Sequence, residues 1–405
     1  MGLLRLRVRI SSIECIHGCL NGGLSMESTE YGLMLKTVSE DCNLACDYCY
    51  YSRVKGQPQT VRKPSTTVLR RILSDYFQTC GTVASIAWQG GEPLLAGLPF
   101  FQQVVAWEVE YAPPGTIISN ALQTNGTLLN PEWATFLRQY QFLVGVSVDG
   151  PRTIHDCHRV SANGHGSYGR VMRGIDCLRR AGVEFNILTV VGPHNVHRAR
   201  DLMAFYRQEG FAWVQFIPQM RFASQDVHTP GAFAITPEDY GQFLCEAFDL
   251  WYNGGHPDLS VRYFDNVLQT YMNHVPDLCT VQSHCPQFLV IESNGDIYAC
   301  DFYLDPAWKA GNVMAMPLAE AFHTEAYQRF ARLKPSLPSA CQTCPWLRHC
   351  QGGCPRNRTG DPVQTDTADY FCAAFQQFFA YADERLQQLA QRLRSHRTAP
   401  GTLPV

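Results

Sequence analysis

Cys42, Cys46 and Cys49 stand in a C-x-x-x-C-x-x-C spacing. Three thiolates held this way can occupy three corners of a cubane iron-sulfur cluster and leave the fourth iron open to a small molecule. Buried packing thiols, or three ligands of a zinc site with no histidine partner, are the other uses such a triad allows. A second group follows far downstream: Cys279, Cys285 and Cys300, then Cys341-x-x-Cys344-x(5)-Cys350-x-x-x-Cys354, then Cys372. These eight thiolates make two sets of four, the complete ligand sets of two closed cubanes, although the stretch from Cys341 to Cys354 also has the spacing of a zinc ribbon. Asp301 directly follows Cys300. Its carboxylate can accept a proton from a thiol or hydroxyl brought within about 3 Å, or merely cap the backbone at a hairpin end.

These residues are carried by an otherwise ordinary chain. With 405 residues, 45% of them hydrophobic and 17% charged, it can bury a large core in one big domain and a smaller one. Seventeen cysteines are not needed as staples in a chain of this length, so most are expected to be ligands in a reducing compartment. A formal net charge of -3 gives no electrostatic footprint for nucleic acid or an anionic membrane. No run approaches the roughly 18 apolar residues of a membrane span. Arg5, Arg7 and Arg9 are followed by Ser11, Ser12, Glu14, His17 and Gly18 rather than a secretory apolar region, so a cytoplasmic location is expected. Residues 1–30 read as an N-terminal extension, with Met26 the expected natural start.

From residue 31 to about 255, apolar strand-like runs alternate with segments of helical period, the pattern of repeated βα units around a parallel sheet. Strands are expected at Leu33–Val38, Ala84–Trp88, Thr116–Gln123, Leu143–Val148, Glu184–Val191 and Trp213–Pro218. Helices are expected at Ser65–Gln78, Phe100–Ala112, Pro131–Tyr140, Tyr168–Arg180, Asn195–Glu209 and Pro237–Asn253. Six units imply an open, partial α/β barrel of TIM type. Cys42, Gln89-Gly90-Gly91-Glu92, Thr124-Asn125-Gly126 and Asp149-Gly150 each follow a strand, where the loops of such a barrel build one mouth. From about 256 to 390 the rhythm gives way to a hairpin, with its turn at Asn294-Gly295, and then to cysteine-rich chain. Few apolar runs lie there, so metal clusters are expected to supply much of its folding free energy. A last helix is expected from about Asp369 to Arg394, with a loose tail over 391–405. Cys15, Cys19, Cys80, Cys157, Cys177 and Cys245 read as packing thiols, and His155 and His158 as loop residues near Arg159.

The stretch Cys42-Asn-Leu-Ala-Cys46-Asp-Tyr48-Cys49-Tyr50 resembles the cluster loop of the radical S-adenosylmethionine superfamily, and Gln89-Gly-Gly91-Glu-Pro93 resembles its glycine-rich segment. The downstream cysteines resemble the SPASM domain of peptide-modifying radical enzymes. The match narrows to anaerobic sulfatase-maturating enzymes through Gln123-Thr-Asn-Gly-Thr127, Val146-Ser-Val-Asp-Gly-Pro151, Asn294-Gly-Asp-Ile-Tyr-Ala-Cys-Asp301 and Cys350-Gln-Gly-Gly-Cys-Pro-Arg-Asn357, covering about 31 to 390.

The resemblance implies that the open iron chelates S-adenosylmethionine and that one electron cleaves it to a 5'-deoxyadenosyl radical. It places Tyr48, Gln89, Gly91, Ser147, Arg159 and Met220 at the cofactor. Of three 4Fe-4S clusters, the first auxiliary one would be held by Cys279, Cys285, Cys300 and Cys354, the second by Cys341, Cys344, Cys350 and Cys372. It further implies that the radical takes a β-hydrogen from a Cys or Ser in a Cys/Ser-x-Pro-x-Arg segment of an unfolded sulfatase. Asp301 then acts as general base, and an auxiliary cluster accepts the second electron to give Cα-formylglycine. A flavodoxin or ferredoxin would donate electrons. The alternatives are another SPASM enzyme, forming a crosslink, thioether or epimer in a ribosomal peptide, and a non-enzymatic zinc or iron-sulfur scaffold.

Overall fold

The computed structural model describes residues 31–51, 58–219, 235–358 and 366–397. Strands β1 (Gly32–Lys36), β2 (Val83–Gln89), β3 (Ile117–Thr124), β4 (Leu143–Ser147), β5 (Phe185–Val191) and β6 (Trp213–Pro218) lie side by side in chain order, each parallel to the last. All six expected strands form, and a short β7 (Ser260–Val261) extends the row beyond β6. Leu33, Leu35, Ala84, Ile86, Trp88, Val144 and Val146 are buried along them, as a parallel sheet covered by crossover helices requires.

The covering helices are α1 (Thr66–Thr79), α2 (Leu98–Tyr111), α3 (Pro131–Gln139), α4 (Arg152–His158), α5 (Tyr168–Ala181), α6 (Ala199–Glu209) and α7 (Pro237–Tyr252). Their ends follow local chemistry. Ser65, Asn130 and Thr236 accept from Val68 N, Trp133 N and Asp239 N at the starts of α1, α3 and α7. Helices α5 and α6 close on Gly182 and Gly210, both left-handed. Helix α4 was not expected, because its seven residues are too few to show a helical period.

The C-terminal part adds α8 (Arg262–Tyr271), which the sequence reading passed over, and then β8 (Phe288–Ile291), β9 (Asp296–Tyr298) and β10 (Gly311–Asn312). The expected hairpin is β8 and β9, turning at Gly295 with φ 87°. Its unforeseen feature is its place: β8 runs parallel to β1, with Gly32, Leu33, Met34 and Leu35 opposite Phe288, Leu289, Val290 and Ile291. Barrel and C-terminal region therefore share one ten-stranded sheet, with β1 inside it.

Helix α9 (Glu325–Leu333) is followed by the short α10 (Ser339–Gln342) and α11 (Leu347–Cys350), which carry Cys341 and Cys350. The closing α12 (Cys372–Arg397) lies along α7, with Phe378 packed on Phe248 and Phe264. It ends at Arg397, a little beyond the expected end near Arg394 and inside the span expected as a loose tail. Among the described residues no helix is long and apolar enough to cross a membrane. Met26, Cys15, Cys19 and Met220 lie outside the described residues.

Candidate active site

The loop after β1 carries the cysteine triad and is stitched to the loop after β2. Thr37 N donates to Gln89 O at 2.7 Å, Gly91 N to Ser39 O at 2.6 Å and Glu92 N to Asp41 O at 2.8 Å. A Cβ on Gly91 would stand 1.9 Å from the Asp41 carbonyl oxygen, so only glycine fits. Gln89 and Gly91, which the resemblance places at the cofactor, thus also hold the triad loop itself. Asp41 is fixed by Arg62, whose N and Nη2 both donate at 2.6 Å.

Cys42 takes weak donations from Leu44 N and, at 3.8 Å, Asn125 Nδ2, while Cys49 N donates to Cys46 O at 3.2 Å. Burial, then Glu92, pushes the Cys42 thiol up to about 12, with Cys46 and Cys49 adding to the rise. Burial likewise raises Cys46 to about 11, opposed by the Arg159 guanidinium. The three thiols thus face one another beside a buried cation. Arg159 also donates to Tyr48 Oη at 2.8 Å, and its Nε is buried without a partner. Ser147, at the end of β4, accepts from Gln123 Nε2 at 3.1 Å.

Two carboxylates from the loops expected at the barrel mouth, Asp149 and Glu92, organise this floor. Asp149 accepts from the Tyr48 hydroxyl on Oδ2 and from Val190 N on Oδ1 at 3.1 Å. Glu92 accepts from Thr124 Oγ1 and Asn125 N at 2.7 Å each and from Leu94 N at 3.1 Å, and burial lifts it to about 6 in spite of those donors. The usable signal was their position just after strands.

Asp301 comes from the C-terminal side and meets the triad loop. Its Oδ1 pairs with Lys36, a residue only 1% exposed at the end of β1, and its Oδ2 accepts from the Tyr50 hydroxyl at 2.5 Å. Lys36 also lies 4.3 Å from the centre of the Tyr51 ring. Tyr51 Oη and Ser39 Oγ donate to Glu292 at 2.8 and 2.7 Å. Lys36, Tyr50, Tyr51 and Glu292 were missed because each, alone, reads as an ordinary strand-end or loop residue.

The eight downstream thiols fall into two neighbourhoods. Burial, then Cys354 and Cys279, pushes Cys285 up to about 12, and burial with Cys354 also raises Cys300. Cys341, Cys344, Cys350 and Cys372 line one cavity, together with Trp346, Leu347, Phe375 and Phe379. No three His, Cys, Asp or Glu side chains among the described residues are placed to hold a single metal ion. Each neighbourhood supplies four thiols, the ligand number of a closed cubane. With Arg159 Nε buried and unpartnered beside Cys46, the residues present fit three such clusters and an anionic ligand at the first.

A family model described as the radical SAM superfamily matches residues 37–206, and one described as an iron-sulfur cluster-binding domain, SPASM, matches 279–345. The serine-type anaerobic sulfatase-maturating enzyme of Bacteroides thetaiotaomicron is 34% identical over 92% of this chain and 94% of its own length. The cysteine-type enzyme of Clostridium perfringens is 33% identical over 89% and 99%. The solved structure of native anSMEcpe with bound AdoMet and Kp18Cys peptide superposes with a TM-score of 0.83 at 33% identity, covering 90% of this chain and 99% of that one. Streptococcus suis SuiB bound to S-adenosylmethionine, at 17% identity and a TM-score of 0.57, covering 81% and 74%, shares the fold.

Proposed function

The chain belongs to the anaerobic sulfatase-maturating enzymes, radical S-adenosylmethionine enzymes with a SPASM domain, and on that premise we propose which of its residues carry the reaction. The reaction is the oxidation of a Cys or Ser side chain of a sulfatase to Cα-formylglycine. S-adenosylmethionine, an open 4Fe-4S cluster and auxiliary iron-sulfur clusters are the cofactors. Cys42, Cys46 and Cys49 hold the open cluster. Cys279, Cys285, Cys300 and Cys354 hold one auxiliary cluster, and Cys341, Cys344, Cys350 and Cys372 the other. Tyr48, Gln89, Gly91, Ser147 and Arg159 border S-adenosylmethionine, with Arg159 Nε free to meet its carboxylate. When bound, these groups supply hydrogen-atom abstraction at the β-carbon and take up the remaining electron.

The observation that carries this reading is Asp301, a carboxylate from the C-terminal region held against the triad loop between Lys36 and Tyr50. Lys36 supplies a buried counter-charge on Oδ1. The target thiol or hydroxyl takes over the Oδ2 position that Tyr50 fills here, and Asp301 accepts its proton there. An extended substrate segment enters between the barrel mouth and the C-terminal region, held by backbone hydrogen bonds. A flavodoxin or ferredoxin supplies electrons, and the seventeen cysteines suit a reducing cytoplasm.

The test is anaerobic incubation of the iron-loaded enzyme with S-adenosylmethionine, dithionite and paired peptides containing Cys-x-Pro-x-Arg or Ser-x-Pro-x-Arg. Simple atom bookkeeping at the β-carbon gives a loss of about 18 Da for Cys or about 2 Da for Ser, with an aldehyde that a hydrazide captures. A crosslinked product would lose mass without hydrazide capture. Asp301→Asn should keep S-adenosylmethionine binding and lose most of the aldehyde, and a wild-type yield from it would remove Asp301 from the mechanism.

A further inference from the structure

Lys334, at the C-terminal end of α9, is 1% exposed. Its Nζ donates to Thr280 O at 2.9 Å and to Gly353 O, two neutral carbonyls, and among the described residues no carboxylate forms an ion pair with it. Each carbonyl adjoins a cysteine: Thr280 follows Cys279, and Gly353 precedes Cys354. A buried ammonium with no anion in direct contact costs several kcal/mol. The charges that most favour it are those of Cys354, Cys279 and Cys285, from one thiol set, and of Cys350, from the other, with a smaller contribution from the buried Asp369 carboxylate. Arg358, also buried, repeats the pattern: it donates to Leu333 O and Ser336 O at 2.7 and 2.8 Å and acts on Cys285 of one set and Cys341 of the other. Thiols supply no negative charge, whereas thiolates on a cluster do.

Resting on the cluster reading above, we propose that Lys334 is the built-in counter-cation between the two auxiliary clusters, a positioning residue that makes them better electron acceptors. A fixed positive charge favours the more negative, reduced state of whatever cluster it faces. The enzyme needs this, because the substrate must lose a second electron after its hydrogen atom. Lys334 stabilises that electron as it arrives, while its two carbonyl contacts bind together the chain segments bearing Cys279 and Cys354.

The test is a potentiometric titration followed by electron paramagnetic resonance on full-length protein. A Cys42→Ala, Cys46→Ala, Cys49→Ala background leaves only the auxiliary signals. That background should hold about eight irons per chain, two cubanes' worth; protein without them would refute the cluster reading itself. With the irons present, Lys334→Met should lower the midpoint of at least one auxiliary signal, and Lys334→Arg should stay near the parent. A Lys334→Met protein that loses iron while Lys334→Arg keeps it supports the same role for the charge. An unchanged midpoint at full iron load in Lys334→Met, or equal iron loss in both variants, overturns the proposal.

Discussion

At the residue scale, the site depends on close approach as much as on ligands. Gly91 is the sharpest case, since its α-carbon packs on the Asp41 carbonyl, one residue before Cys42. Its would-be neighbour is backbone, which cannot swing aside, so Gly91→Ala must push the triad loop away from β2. Gly91→Ala is therefore expected to lose the S-adenosylmethionine-responsive cluster signal while keeping the iron of the two auxiliary sets. Iron analysis with paramagnetic resonance, with and without S-adenosylmethionine, checks this, and a full wild-type signal would show that the loop tolerates the methyl. The cysteines stand out in the sequence by type and spacing, whereas Asp301 is singled out only by the family resemblance and its place after Cys300. Lys36 and Tyr50 do not, because what sets them apart is a contact with Asp301 spanning about 250 residues of chain, as the Tyr50–Asp301 separation of 251 shows.

At the element scale, the six strands and their crossover helices were readable because each carries a full hydrophobic period. Helix α4 lacked the length to show one. Helix α8, despite burying Phe264, Val267 and Leu268, lay past the point where the βα rhythm stopped. Within the layer, α2 is tied to the sheet by a buried polar chain: Trp88 Nε1 donates to Asn120 Oδ1 at 2.7 Å, and Asn120 Nδ2 donates to Glu108 Oε2 at 3.0 Å. Glu108 Oε1 has no partner, and burial lifts the carboxyl to about 7. A raised acid stabilises the fold fully below its unfolded value near 4.5, and that contribution is lost as pH climbs through about 7. Glu108→Gln removes the charge and keeps the Asn120 contact. The variant should therefore gain on the order of 1–2 kcal/mol relative to wild type at pH 8, allowing for its own unpaired amide, and lose that gain near pH 5. Urea unfolding at the two pH values decides it, and a difference independent of pH would place the effect in packing instead.

At the scale of the whole molecule, the division into barrel and cysteine-rich region that the sequence suggests is not a division of the sheet. Strand β8 covers the outer side of β1, Asp301 neutralises the buried Lys36, Glu292 receives Ser39 and Tyr51, and α12 lies on α7. A chain ending at Gly255 would lose all four. Its β1 would become an open edge with unpaired backbone groups over Gly32 to Leu35, a template for aggregation. Lys36 would be left either buried without its anion or forced outward, and the aromatic face of α7 around Phe248 would meet water. The residue 31–255 fragment is accordingly expected to be insoluble or to unfold without a cooperative transition, even though it contains the whole radical SAM match at 37–206. Circular dichroism melting of that fragment beside the full chain is the measurement, and a sharp, reversible transition would make the shared sheet dispensable. The arrangement has a functional reason as well. The base proposed at Asp301 must stand beside the triad loop, and a carboxylate carried on a separately tumbling domain would not stay within the roughly 3 Å that proton transfer needs. Continuing the barrel sheet through β8 into the hairpin whose second strand ends at Tyr298, three residues before Asp301, holds that carboxylate beside the loop through backbone hydrogen bonds.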